Sequence, residues 1–321
     1  MLKAYDYFEY AEGNNMNQQA DLLAEETELS KSIVLSIKEK KRNNKVHCLC
    51  SNVKMEPFFE KWGIEYCRCP ICYTITANVS KSEIDTFKNN DELINFRTSP
   101  HYQEEAAIYR KLDWEELLDW IYFRTYRYIE KKCFSIVDYG NRYEFFAEKI
   151  NSSRFCEKYE LRNTIIEQNK FSTDTISSAD IVLHLNHLQQ SISPIDDLID
   201  AGISLRPGGL LFFSTRIGTG FDILALTKHS KILPYDHIYL PSISMLKYIF
   251  AKAGYRILEI STPGRLDVIY VKENKDKISD KQHILKLLME HEDKIVLQEL
   301  QRFLQKSEMS SYVQIVAQKG N

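Results

Sequence analysis

No apolar run in the chain approaches the roughly 18 residues that crossing a bilayer requires. The opening stretch, MLKAYDYFEYAEGNN, holds no apolar signal core either. A cytoplasmic protein with reduced cysteines and no membrane partner is therefore expected. The glycosylation patterns Asn78-Val79-Ser80 and Asn151-Ser152-Ser153 mean little in that setting. Basic charge is not in excess: 42 Lys and Arg face 45 Asp and Glu, for a net charge of −3. Phosphate contacts need a basic face, so nucleic acid is excluded as the main partner. The local run from Lys38 to Arg42 reads as a solvated helix end. A second His/Asp cluster, which a metal-dependent hydrolase would need, is also missing.

What is present suffices for a core. The 321 residues are 44% hydrophobic and 27% charged, the balance of an ordinary soluble protein with one large or two modest domains. Leu22, Leu29, Ile33 and Ile37 recur at helical spacing, so an amphipathic helix is expected from Gln18 to about Lys41. A cysteine cluster follows: Cys48 and Cys50, then Cys67, Cys69 and Cys72. Cys69-Pro70-Ile71-Cys72 has the form of a zinc knuckle, whose turn points two thiolates at one tetrahedral ion. Cys50 is a third candidate ligand. The fourth is either Cys48 or His47, and Cys67 is spare. Free thiols without metal are the competing reading. From Tyr102 to Lys132 a long helical pattern is expected, with Leu112, Leu117, Leu118, Ile121 and Tyr122 on its apolar faces.

Leu205 to Asp222 organises the rest. Arg206-Pro207-Gly208-Gly209 cannot continue a helix and marks a tight turn, and Leu210 to Ser214 reads as a strand buried on both faces. Ligands of open α/β sheets sit at the carboxyl ends of strands, so the site is expected after it. Further strands are expected at Phe134–Tyr139, Arg154–Tyr159, Ala179–Leu185 and Tyr255–Ser261, with an antiparallel one at Tyr312–Ala317. His184 and His187 fall at or just past a strand end, where an imidazole can accept a proton near neutral pH. The loop from Arg216 to Asp236, with Gly218, Gly220 and Pro234, suits a lid. Ser242 is an N-cap candidate, and Gly254 a helix-ending glycine. Ser279 to Lys306 reads as one long helix or two shorter ones, with Ile284, Leu288, Leu300 and Leu304 as core positions.

The LRPGG entry and its strand resemble strand five of class I S-adenosylmethionine-dependent methyltransferases. The later run GFDILALTKHSKILPYDHIYLPSISMLKYIFAKAGYRILEISTPGRLDV is similar to a bacterial subgroup with a zinc ribbon before the methyltransferase domain, associated with sugar or surface-glycan biosynthesis. The resemblance covers Val46 to Lys319 and is strongest from Ala179 to Val268. It implies an α/β, Rossmann-like seven-stranded sheet preceded by a small zinc-ribbon-like domain. The corresponding boundaries are an N-terminal helical segment at 1–45, the ribbon at 46–100, a linking helix at 101–132 and the methyltransferase-like domain at 133–321. It further implies S-adenosyl-L-methionine and a structural zinc ion as cofactors, with Cys48, Cys50, Cys69 and Cys72 on the metal. Asp138, Gly140, Arg142, Glu160, Asp174 and His184 are implied on the cofactor side. Glu160 is placed for the ribose hydroxyls and Asp174 for the adenine edge. His237 and His187 are the implied catalytic histidines, and Arg265 and Asp267 the implied substrate contacts. The partner would be a small acceptor such as a nucleotide sugar, with homo-oligomer contacts through the N-terminal helix. The chain departs from the family pattern at the glycine-rich loop, where only Gly140 remains, followed by Asn141, Arg142 and Tyr143. A catalytically inactive scaffold that binds a protein partner is therefore the second reading.

Overall fold

A computed structural model describes residues 16–37, 46–109, 111–139, 144–162 and 178–320. Four parallel strands, β4 (Phe134–Tyr139), β5 (Cys156–Arg162), β6 (Ala179–Leu185) and β7 (Leu205–Arg216), carry the main sheet. β10 (Tyr312–Lys319) runs antiparallel between β7 and β9 (Tyr255–Ser261), which gives the order β5-β4-β6-β7-β10-β9. This is a mixed, Rossmann-like α/β sheet. Six strands of this sheet lie among the described residues, against the seven that the resemblance implies, and 163–177, between β5 and β6, are outside them.

Each strand alternates its apolar residues between two faces, and helices cover both. On one face Trp114 and Ile121 of α5 (Lys111–Tyr128), with Phe146 and Ile150 of α6 (Glu144–Asn151), pack on Phe134, Ile136 and Phe212. On the other, Leu198 of α7 (Pro194–Ile203), with Leu246 and Phe250 of α9 (Ile243–Lys252), covers Val137, Val182 and Phe213. Side chains of this size each contribute about 1.5–3 kcal/mol on full burial. Helix α9 starts where expected, with the Ser242 side chain accepting from the Met245 N–H at 3.2 Å. It ends before Gly254, whose φ of +81° lies in the left-handed region.

The Arg206–Gly209 turn is instead a bulge. β7 begins at Leu205, and its parallel register with β6 slips between Ala179 and Ile181, with Gly208 at φ +73°. The expected long linking helix is seen as α4 (Pro100–Tyr109) and α5, with residue 110 between them outside the described residues. The C-terminal helices are two, α11 (His283–Met289) and α12 (Lys294–Lys306). Leu304 is buried as expected, but Ile284 is 77% exposed and Leu288 is 39% exposed, because α11 turns Met289 inward instead. The segment after β7 is packed rather than lid-like. It forms α8 (Phe221–Leu226), and Ile217, Ile223, Ile232 and Tyr235 are buried. Its glycines serve close approach: a Cβ on Gly220 would lie 2.6 Å from the Ser311 Cα.

The N-terminal part forms a second sheet. β1 (Glu56–Lys61), β2 (Ile64–Arg68) and β3 (Ile75–Ala77) pair antiparallel, and β8 (Tyr239–Leu240) joins their edge. A segment downstream of β7 thus completes the ribbon sheet. Two short helices follow β3: α2 (Lys81–Lys88), opened by a Ser80/Glu83 capping box, and α3 (Asp91–Thr98). The N-terminal helix α1 spans Met16–Ser36, and its Leu22, Ile33 and Val34 are buried against the body of the chain. Glu26 of α1 is buried and accepts from Arg97 of α3 at 2.9 Å and from the Tyr102 hydroxyl at 3.1 Å. Arg97 also pairs with the buried Asp236. Part of the apolar face of α1 thus packs within the chain.

Candidate functional site

The chain leaves β4 toward β5 on one side and returns to β6 on the other. A crevice at such a reversal, outside the carboxyl ends of β4 and β6, is where α/β sheets bind ligands. Asp138 and Tyr139 end β4, and Glu160 and Arg162 lie at the end of β5, in register with Val137 and Tyr139. Asp138 is buried and accepts from the Tyr159 hydroxyl at 2.7 Å. Glu160 is buried, and its carboxylate accepts from the Arg162 guanidinium. Arg162 in turn donates to the Tyr139 hydroxyl at 3.2 Å and to the Ser204 Oγ at 2.6 Å. Residues two apart on a strand share a face, so Glu160-x-Arg162 could have been read as a pair from sequence. Gly140, Arg142 and Asp174, the remaining cofactor-side residues named from sequence, lie outside the described residues.

β6 brings His184 to the same edge. Its ring lies 5.6 Å from Phe213 with a 15° interplanar angle, 6.2 Å from Tyr139 and 5.0 Å from His187. Neither ring nitrogen has a hydrogen-bond partner among the described residues. Burial, and then the neighbouring His187, hold its proton affinity well below the ordinary value, so it is neutral. Asn186, at φ 57°, turns the chain out of the strand and half-buries His187. Burial also lowers the His187 pKa, with Asp197 opposing and Lys88 of α2 adding to the effect. Lys88 is exposed, yet burial lowers its own pKa against Asp236 and Asp197. Nothing in the sequence marked Lys88 or Arg97 as neighbours of this edge.

The His237 segment meets the His187 segment directly. The Ile238 N–H donates to the Gln189 carbonyl at 2.6 Å, and Gln190 Nε2 donates to Asp236 at 3.3 Å. His237 is buried, and its Nδ1 accepts the Leu233 N–H at 2.9 Å. The same Nδ1 lies 3.2 Å from the Leu233 carbonyl oxygen, so it faces both a donor and an acceptor of one residue and either tautomer is served.

The loop after β9 is engaged internally. Arg265 pairs with Glu116 of α5. Asp267 starts α10 (Asp267–Glu273), is buried, and accepts from Gln301 Nε2 at 2.9 Å, from the Ser311 N–H at 3.3 Å and from the Ser310 and Ser311 hydroxyls. These contacts anchor the loop to α12 and to the start of β10.

Cys48, Cys50, Cys69 and Cys72 converge, with their sulfurs all within 4.8 Å of one another. Cys48 and Cys72 lie 3.5 Å apart, and Cys50 and Cys69 3.7 Å. Metal–sulfur bonds of about 2.3 Å in a tetrahedron give sulfur–sulfur edges of about 3.8 Å, so the four fit zinc without rearrangement. The Ile71 and Cys72 N–H groups donate to the Cys69 sulfur, each at 3.4 Å, as a thiolate in a knuckle requires. His47 is exposed and outside the cluster, so Cys48 is the fourth candidate ligand. Cys67 is apart from it, bonded to Glu65, with its thiol pushed up to about 11 by burial.

No protein-family model matches the chain, and no curated protein matches it in sequence. Solved structures do. A chain of the Haloferax volcanii complex containing the Trm112 methyltransferase activator is 12% identical, covering 72% of this chain and 99% of that one, with a TM-score of 0.46. The [4+2]-cyclase SpnF is 12% identical over 58% of this chain and 74% of its own, with a TM-score of 0.35. The Haemonchus contortus phosphoethanolamine N-methyltransferase 2, solved with phosphomonomethylethanolamine and S-adenosylhomocysteine, is 12% identical over 61% of this chain and 51% of its own, with a TM-score of 0.38. At such identities the likeness concerns the fold alone.

Proposed function

We propose that the chain is an S-adenosylmethionine-dependent methyltransferase acting on a small polar acceptor such as a nucleotide sugar or glycan precursor, with zinc as a structural ion. The observation that carries this reading is the strand-order reversal at β4 and β6, with the buried carboxylates of Asp138 and Glu160 at its edge. Glu160 would hold the ribose. The bound cofactor would supply an electrophilic methyl group.

The protein's part is alignment, which alone can be worth about 7–11 kcal/mol. His187 is the better proton acceptor of the two histidines, being neutral, half-buried and beside the crevice. His237, its ring held against the Leu233 backbone, would serve as general base or substrate ligand. Arg265 and Asp267 would act on substrate only indirectly, by fixing the loop after β9. Calorimetry with S-adenosylmethionine and S-adenosylhomocysteine tests this reading, and absence of binding to both would defeat it.

One observation favours the scaffold reading. Arg162 bridges Glu160, Tyr139 and Ser204, so the strand-end acid is neutralised from within the chain. Retained cellular function after Glu160→Ala would support it.

A further inference from the structure

A group of cations outside the crevice is brought together by three chain segments. Lys61, at the end of β1, donates from Nζ to the Ser230 carbonyl at 2.7 Å, and this ammonium also lies 5.2 Å from the Trp62 ring centre. The segment it reaches reads Lys228-His229-Ser230-Lys231. Tyr270 of α10 holds the other side. Its hydroxyl donates to the His229 carbonyl at 3.0 Å, and Lys231 Nζ stands 4.3 Å from its ring centre. Lys228, His229 and Lys231 are exposed.

Two features of this arrangement are unfavourable in the chain alone. Thr227, which leads into the segment, has φ 48° and ψ −114°, a conformation that a β-branched residue rarely adopts. Such strain costs on the order of 1–3 kcal/mol and is found at ligand clamps. The charges also repel. His229 has its pKa lowered by burial and then by Lys228, Lys277 and Lys61, with Asp276 opposing. The Lys61 amine is brought down to about 8 by burial and then by Arg216, while Asp222 opposes. Asp222 is itself paired with Arg216 and bonded to Ser311, and Lys228 has no ion-pair partner among the described residues.

We propose that Lys61, Lys228, His229 and Lys231, with Lys277 at the rim, form a binding site for a phosphate-bearing small anion. Cationic side chains on adjoining segments, Lys61 against Ser230 and Lys231 against Tyr270, match a multiply charged oxyanion better than a single carboxylate. So few cations are too small a footprint for a polyanion on a chain of net charge −3. The site goes beyond the methyltransferase reading, because it binds its anion whether or not the cofactor binds.

The test titrates the full chain, in its zinc-bound form, with inorganic pyrophosphate, followed by calorimetry and by the His229 ring signals in NMR. Saturable binding that weakens with salt is expected, with the His229 pKa rising by about one unit when the anion is bound. Lys228→Gln, at an exposed position, and Lys61→Gln with Lys228→Gln should weaken it, the pair by about tenfold or more. S-adenosylhomocysteine affinity should not change in either, which separates failure of this site from failure of the crevice. No saturation by about 10 mM pyrophosphate, or equal affinity in wild type and the double variant, overturns the proposal. So does binding to phosphatidylglycerol vesicles through these lysines without binding to pyrophosphate.

Discussion

Removal of the metal should be felt far from the cysteines. Besides the β3–β8 pairing, the N-terminal sheet holds the 237–242 segment by three further hydrogen bonds. The Ala77 N–H donates to the Ile238 carbonyl at 2.8 Å, the Tyr66 hydroxyl to the His237 carbonyl at 3.1 Å, and the Ser242 N–H to Thr74 Oγ1 at 3.2 Å. Thr74 Oγ1 also lies 3.2 Å from the Cys72 sulfur, where a metal-bound thiolate would accept its hydroxyl proton, so the chain of contacts runs from the knuckle to the start of α9. At about 0.5–1.5 kcal/mol per bond, the ribbon lends this segment about 1.5–4.5 kcal/mol of local stability. Losing it speeds amide exchange about ten- to thousandfold, where opening is the route to exchange. The assay is hydrogen exchange by mass spectrometry before and after chelation, with metal analysis reporting one zinc per chain beforehand. Peptides covering 233–245 should lose protection together with those covering 46–78. Exchange that rises only within 46–78 would show that the knuckle does not support the histidine segment.

Three further outcomes are expected. Glu160→Gln should weaken S-adenosylhomocysteine affinity about 10- to 100-fold in calorimetry, as for loss of a charged acceptor; unchanged affinity removes Glu160 from the ribose role. His184, its pKa depressed in the fold, takes up its proton only on unfolding, so stability should fall as pH drops below about 6.5, by up to about 1.4 kcal/mol per unit. Urea denaturation of His184→Phe, which retains a ring against Phe213, should show a shallower fall, and an identical pH slope would refute the assignment. Arg97→Met removes the cation between the buried Glu26 and Asp236 carboxylates and should cost about 3–5 kcal/mol by urea denaturation, against under about 1 kcal/mol for an ion pair of no structural weight.

The strands of the main sheet were legible because buried parallel strands are short apolar runs between punctuating residues. Ala179–Leu185 and Tyr255–Ser261 fall as expected from sequence. The caps at Ser242 and Gly254 were legible because their chemistry is local. The cysteine ligands were legible only as a set: His47 and Cys48 are equivalent in sequence, and the exposure of one and burial of the other separates them. β8 could not be read, since two residues have no periodicity and their partners are distant in the chain. The hydrogen bond that fixes the His237 ring likewise depends on a turn whose geometry its sequence does not display. Ile284 and Leu288 show the limit of counting apolar residues, because helical spacing marks a face without saying what covers it.

β10 has a consequence for how the molecule comes into being. It occupies an interior lane of the sheet, between β7 and β9, with Val313, Ile315, Val316 and Ala317 entirely or almost entirely shielded from water. On the ribosome, the edges of β7 and β9 therefore wait, unpaired and adhesive, until Lys319 has cleared the exit tunnel. A nascent chain stalled short of that point is a natural client for a chaperone, and truncation within 312–319 should yield aggregate rather than a smaller working protein.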